Sequence, residues 1–270
     1  ILHEMRLVKR CEEKALIQKA CKIAGRAHRQ AMKVCKPGMM EYQVEAEYQY
    51  IFKKKGADFP AYPPIVATGE NACVLHYIEN SAELKDGDLL LIDAGCEVDG
   101  YASDITRTFP VNGKFSGEQR ALYEIVLQAQ QAAIDTIKPG ATWDNPHSAA
   151  VRVLTDGLVD LGILQGDVNE LIETEAYRKF YMHKTGHWLG MDVHDVGDYK
   201  VNDHWRQLEP GMIMTVEPGL YIQAGEADVD ERWWSTGIRI EDDVAVTRTG
   251  CEVLSDDAPK QVDDIEHLMR

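Results

Sequence analysis

The sequence predicts two similar α/β halves that meet across a shared sheet, and three observations carry that reading. A helical pattern runs to Lys36-Pro37-Gly38 and is followed by a second helix and then β-like runs; the same order returns around Lys138-Pro139-Gly140. Identity between the two passages is weak but their organisation agrees, as expected of an internal repeat. The stretch from Leu89 to Phe109 reads as one β-hairpin, with Val98-Asp99-Gly100 supplying the turn chemistry. Finally, 270 residues at 44% hydrophobic and 27% charged suffice for one large core or two small ones, with the composition of a soluble globular protein. The halves divide at about residue 115, giving 1–115 and 116–270.

Element by element, Met5 to Val34 is helical in pattern and unbroken by proline, with Ile17, Ala20, Ile23, Ala24, Ala27 and Ala31 on its apolar face. A second helix, about Glu41 to Lys55, stops at Gly56. A proline-rich segment, Phe59 to Pro64, leads into the β-like run Ile65-Val66-Ala67, and Val74-Leu75-His76-Tyr77 reads as another short strand. The second half repeats the plan with helices over Gly117–Ile137, about Asn145–Leu161 and about Val168–Phe180. Strands follow at Met212–Val216 and Ile238–Val246, and a helical turn closes the chain around Ile265, Leu268 and Met269.

Two aspartates mark the hairpin. Were its two-residue loop Val98-Asp99, Asp93 would lie directly opposite Asp104; were it Asp99-Gly100, Asp104 would face Gly95, two residues on. Strand side chains alternate with period 2, so both registers put the two carboxylates on one side of the ribbon. Like charges across a ladder are destabilising, and Asp93 directly follows the apolar run Leu89–Ile92. A buried carboxylate needs a partner, and a metal ion is the economical one.

The second half offers further ligands. Tyr181 to Gly197 contains His183, His187 and His194; Glu217 precedes Pro218 at the end of a strand; Glu241 follows Ile238 and Ile240. His183 and His187 have the i, i+4 spacing of a zinc helix, but no Glu follows His183, and Gly186 and Gly190 weaken a helix there. If Asp93, Asp104, Glu217, Glu241 and one histidine converge, they present four negative charges. One divalent ion would leave that site anionic, whereas two would neutralise it with room for a bridging hydroxide. Oxygen-rich ligation with one imidazole favours Mn²⁺ first, then Co²⁺, Fe²⁺ or Zn²⁺. Two such ions polarise a carbonyl and acidify a shared water, which is hydrolysis chemistry.

Composition narrows the partners. A net charge of −16 opposes a nucleic-acid or anionic-membrane surface, and no apolar run approaches the length of a membrane span. The six cysteines are scattered without a C-x-x-C pair, which points to reduced thiols and a cytoplasmic location.

Taken together, ENACVLHY, LLLIDAGCEVDGYASDITRTFPVNGKFS, HWLGMDVHDVG, LEPGMIMTVEPGLYI and TGIRIEDDVAVT resemble the pita-bread metallopeptidase family, in its aminopeptidase P (Xaa-Pro aminopeptidase) branch. The resemblance spans nearly the whole chain and implies an α+β fold, a curved and mostly antiparallel sheet with outer helices and pseudo-twofold halves. It implies five metal ligands: Asp93, Asp104, His187, Glu217 and Glu241, with Asp104 and Glu241 bridging two ions. It gives His76, His183 and His194 roles in holding substrate or stabilising the tetrahedral intermediate, Glu217 that of proton shuttle, and places Arg239 and Tyr221 beside the site. The implied reaction is attack of a metal-bridging hydroxide on the first peptide carbonyl of substrates with proline second, their free amine held near Asp93. Members of this branch usually carry an N-terminal domain, which is expected to be absent here, and tend to assemble as dimers or tetramers. Lys184-Thr185-Gly186 and Ala224 to Trp234 follow no pattern tied to function.

Rivals come from the same fold and from outside enzymology. Prolidase, restricted to dipeptides, is nearer than methionine aminopeptidase, because HKTGHWLGMDVHD is closer to proline-specific members. A metal-free binding module is opposed by the presence of all five ligands.

Overall fold

Antiparallel pairing joins every strand neighbour among residues 2–270, the range that the computed structural model describes. The chain opens with helices α1 (Leu2–Leu7) and α2 (Cys11–Val34). A single helix from Met5 is the sequence expectation, and the break at Val8–Arg10 is a tertiary effect. Val8 bridges to Met212, Lys9 N donates to Gly211 O (2.8 Å), and Lys9 Nζ is buried 2.9 Å from Asp195 Oδ2. These long-range contacts outcompete one more helical turn.

Helix α3 (Glu41–Lys55) ends on Gly56, whose φ of 84° lies in the left-handed region that glycine enters without strain. Strand β1 (Phe59–Pro60) is followed by β2 (Ile65–Thr68), β3 (Leu89–Asp93), β4 (Cys96–Val98), β5 (Tyr101–Ala102) and β6 (Thr106–Pro110). Strand β3 lies between β2 and β6, and β4 between β1 and β5. One register runs through the ribbon, from Leu89 opposite Pro110 to Asp93 opposite Thr106 and on to Val98 opposite Tyr101. Its loop is Asp99-Gly100, both at positive φ (50° and 80°), so the second of the two expected registers is the one adopted. Between the paired segments Gly95 presses onto Ser103 O, where a Cβ would sit 1.7 Å away.

Val74–Tyr77 is not a strand. After β2 the chain enters a 3₁₀ turn, Gly69–Cys73, and then a second turn in which Tyr77 N donates to Val74 O (3.3 Å). Cys73 and Tyr77 are buried while Val74 is exposed, so its apolar side chain contributes to no sheet face.

In the second half, α4 (Gly117–Asp135) is opened by a capping box between Ser116 and Gln119 and packs on α5 (Asp144–Asp160). The expected helix Val168–Phe180 is split: α6 covers Val168–Glu173, Glu175 adopts a left-handed φ of 55°, and a 3₁₀ turn spans Ala176–Lys179. A small hairpin, β7 (Lys200–Val201) and β8 (His204–Trp205), precedes β9 (Ile213–Val216), β10 (Gly219–Ile222), β11 (Thr236–Arg239), β12 (Asp242–Val246) and β13 (Cys251–Val253). Helix α7 (Val262–Leu268) ends the chain. The run Ile238–Val246 is therefore two strands. Arg239 pairs with Gly219 and Asp242 with Val216, so Glu217 and Glu241 face each other at the interruption.

The halves meet along β6 and the β11–β12 junction. Glu241 N donates to Thr106 O (3.1 Å), and Asp104 N donates to Asp243 Oδ2 (2.9 Å). Arg107, fully buried, fastens the junction through Glu241 O (2.6 Å), Asp242 Oδ1 (2.7 Å) and Ala258 O (2.9 Å).

Candidate metal centre

A cavity of about 330 Å³ opens where the two interrupted hairpins face each other, and Asp93, Asp104, His187, Glu217 and Glu241 all line it. Donor atoms of Asp104, His187 and Glu241 lie within 4.8 Å of one another. His187 Nε2 is 3.3 Å from Asp104 Oδ2 and 3.5 Å from Glu217 Oε1. Its other nitrogen, Nδ1, lies 3.0 Å from Trp188 O, so Nδ1 carries the proton that is donated and Nε2 faces the carboxylates. Neighbours also orient the acids. Thr106 Oγ1 donates to Glu241 Oε2 (2.7 Å), Thr215 Oγ1 to Glu217 Oε1 (3.2 Å), and Arg239 Nη2 to Asp93 Oδ2 (2.7 Å).

The electrostatics fit a site built for cations. Burial raises the carboxyl pKa of Asp93 against the pull of Arg239, and Asp104 adds to the rise. Glu241 is pushed well up by burial and by the neighbouring carboxylates, and Glu217 is raised by burial despite His187. Burial alone would lower His187, yet its hydrogen bond to Asp104 and the fields of Glu217 and Asp104 lift it to about 9. These shifts reflect the cost of gathering like charges away from water, a cost that bound cations would relieve. Four carboxylates and one imidazole are a hard, oxygen-rich donor set that two divalent cations would neutralise.

The remaining predicted residues form two groups. His76, His183, His194 and Arg239 line the same cavity. The ring of His194 stands edge-on to His187 with centroids 4.3 Å apart. His183 Nε2 lies 2.8 Å from Tyr221 Oη, and burial, with Arg239 adding, lowers its pKa to about 3. Tyr221 is buried behind this wall, where it accepts from Arg239 Nη1 (3.0 Å), and is not among the lining residues. The structure also adds a residue that the sequence reading passes over. Tyr62 Oη lies within hydrogen-bonding distance of both Asp93 Oδ1 (2.6 Å) and Asp104 Oδ1 (2.5 Å), so one hydroxyl spans the two aspartates. Its only local signal is an aromatic in the proline-rich stretch Phe59–Pro64.

Residues 15–248 match metallopeptidase family M24. Over 269 residues the chain is 52% identical to the Xaa-Pro aminopeptidase of Escherichia coli (strain K12), covering 100% of this chain and 60% of that protein. The structure of Pseudomonas aeruginosa aminopeptidase PepP superposes with a TM-score of 0.99 at 60% identity, over 99% of this chain and 61% of that one. Aminopeptidase P from E. coli with the inhibitor Pro-Leu gives 0.96 at 53% identity, again over 99% and 61%. The chain thus spans about three-fifths of the relatives it resembles.

Proposed function

This chain belongs to metallopeptidase family M24, and from that we propose that it carries the catalytic centre of an Xaa-Pro aminopeptidase, which removes the first residue from peptides with proline second. The observation that carries the reading is the convergence of Asp93, Asp104, His187, Glu217 and Glu241 from both halves on one cavity, in a chain 52% identical to a protein of that name. These five residues would hold two divalent ions, Mn²⁺ first among candidates. Such ions supply Lewis acidity at the scissile carbonyl and make a water acidic enough to attack near neutral pH.

The chain's own groups supply the rest. Glu217, whose proton affinity is raised by burial, is suited to take a proton from the attacking water and pass it to the leaving amine. His76 and His194, which line the cavity, would hydrogen-bond the carbonyl oxygen as charge develops there. His183 is kept neutral by burial, with Nδ1 2.8 Å from Lys184 O and Nε2 2.8 Å from Tyr221 Oη, so substrate would reach its ring nitrogens only by displacing one of these partners. Arg239 holds Asp93, the carboxylate nearest which the free amine of the substrate would sit.

The test is hydrolysis of Xaa-Pro-Yaa against Xaa-Ala-Yaa after dialysis, with and without Mn²⁺. Mn²⁺-dependent release of the first residue from the proline peptide alone is the expected result. Equal cleavage of both peptides would remove the proline specificity. An intact tripeptide beside a cleaved Xaa-Pro dipeptide would turn the assignment to prolidase.

A further inference from the structure

Lys184-Thr185-Gly186 forms the wall between the candidate metal cavity and a second cavity of about 240 Å³. Lys184, Gly186 and Tyr199 line both. Gly186 lets this segment lie against β9, since a Cβ there would meet Thr215 O at 2.1 Å. The second cavity is mainly apolar and aromatic, walled by Trp143, Trp205, Met214 and Pro146. The rings of Trp143 and Tyr199 pack with centroids 4.6 Å apart, which makes this wall a preformed surface. Its histidine, His147, is tied by Nδ1 to Thr185 Oγ1 (2.8 Å), and burial lowers its pKa to about 4, so it is neutral at neutral pH.

The order of groups along the cleft indicates which part of a peptide meets this cavity. Asp93, where the free amine is proposed to sit, is held by Arg239; Tyr62 links Asp93 to Asp104, Asp104 lies 3.3 Å from His187, and Gly186, which lines both cavities, directly precedes His187. A peptide with its amine at Asp93 that crosses Asp104 towards His187 would leave beside the shared wall. Cavities that enclose a whole small ligand run to roughly 300–1,000 Å³, so a space of about 240 Å³ suits one side chain.

We propose that this cavity receives the side chain of the third substrate residue and selects a large apolar or aromatic group there. The proposal rests on the peptidase reading above and names a substrate preference within it. No covalent step is involved; the selection comes from burying apolar surface against Trp143, Trp205 and Met214.

Two measurements test it on the Mn²⁺-loaded protein. Binding of the product-like dipeptides Pro-Phe and Pro-Gly is followed by calorimetry, and turnover of Xaa-Pro-Phe and Xaa-Pro-Gly is compared as kcat/KM. The phenylalanine ligand should be favoured by about tenfold in both. Trp205→Ala, which removes a half-buried wall, and Asp144→Phe, which fills the cavity from its rim, should each erase the preference and leave turnover of Xaa-Pro-Gly unchanged. Asp144 is half-buried at the start of α5, so its variant remains informative if Trp205→Ala fails to fold. Equal binding of the two dipeptides, binding of neither, or a preference that survives in the variants would overturn the proposal. A binding preference without turnover of any peptide would uphold the cavity's role and overturn the peptidase reading instead.

Discussion

Arg239 Nη2 lies 2.7 Å from Asp93 Oδ2 across the junction of the two halves, with both side chains largely removed from water. The same guanidinium reaches Tyr221 Oη and Thr106 Oγ1, so it ties three strands to one cavity wall. Removing one partner of such a pair leaves an uncompensated buried charge. Arg239→Met should destabilise the metal-free chain by about 3 kcal/mol. Divalent ions at Asp93 would take over part of that compensation, so the loss should shrink in Mn²⁺. Calorimetric melting with and without metal checks this, and equal losses in both conditions would assign Arg239 to packing alone.

Asp104 stands between the two hairpins, with Tyr62 and His187 on its carboxylate and Asp243 on its backbone N–H. Asp104→Ala is expected to abolish hydrolysis and to lower the bound metal measured by elemental analysis. Retained activity would sink the two-ion assignment.

His76 lines the cavity without belonging to the cluster of close donor atoms. His76→Ala should lower turnover about a hundredfold while metal content stays near normal. Loss of metal in this variant would make His76 a ligand.

Chelation should lower the melting temperature, because ions that bind only the folded chain stabilise it by mass action, about 4 kcal/mol at a thousandfold excess over Kd. The measurement is a melt before and after confirmed metal removal. An unchanged midpoint would separate metal binding from folding.

His28 gives a pH dependence of stability away from the site. It is fully buried on α2, between Ile105 O (3.1 Å from Nε2) and the hydroxyl of Tyr48, and burial, with Arg107 adding, lowers its pKa to about 3. A histidine that cannot protonate when folded takes up its proton on unfolding. Its contribution is therefore present above about pH 6.5 and is lost as pH falls from there towards 3, by about 1.4 kcal/mol per pH unit. Other groups also titrate in this range, so the check is a difference of differences. His28→Gln should lose less stability than the wild type between pH 7 and pH 4; equal losses would refute the assignment.

Much of the site was legible because its signals are local. Asp93, Asp104, Glu217 and Glu241 sit on or beside apolar strand segments, and period-2 alternation is enough to place Asp93 and Asp104 on one side of a ribbon in either register. Five spaced motifs carried the family resemblance and with it the identity of His187 as the imidazole facing the acids. The two interruptions, at Ala94-Gly95 and at Glu217-Pro218, were less readable. Each depends on a close approach, Gly95 to Ser103 O or Ile240 N to Pro218 O (3.3 Å), that no spacing of residue types announces.

From the sequence alone came most of the helices and strands, though not the turn at Val74–Tyr77 or the breaks in three expected elements, and the set of acidic and imidazole groups available to a cation. Only tertiary structure decided where α1 and α2 part, since Lys9 is drawn to Asp195, a residue 186 positions away. It also brought Tyr62 onto both aspartates and closed the second cavity from Trp143, Trp205 and Met214, which lie far apart in the chain. The physical reason is common to all three. Backbone periodicity is set by neighbouring residues, whereas a buried polar or aromatic group finds its partner only when packing brings distant segments within hydrogen-bonding or van der Waals reach.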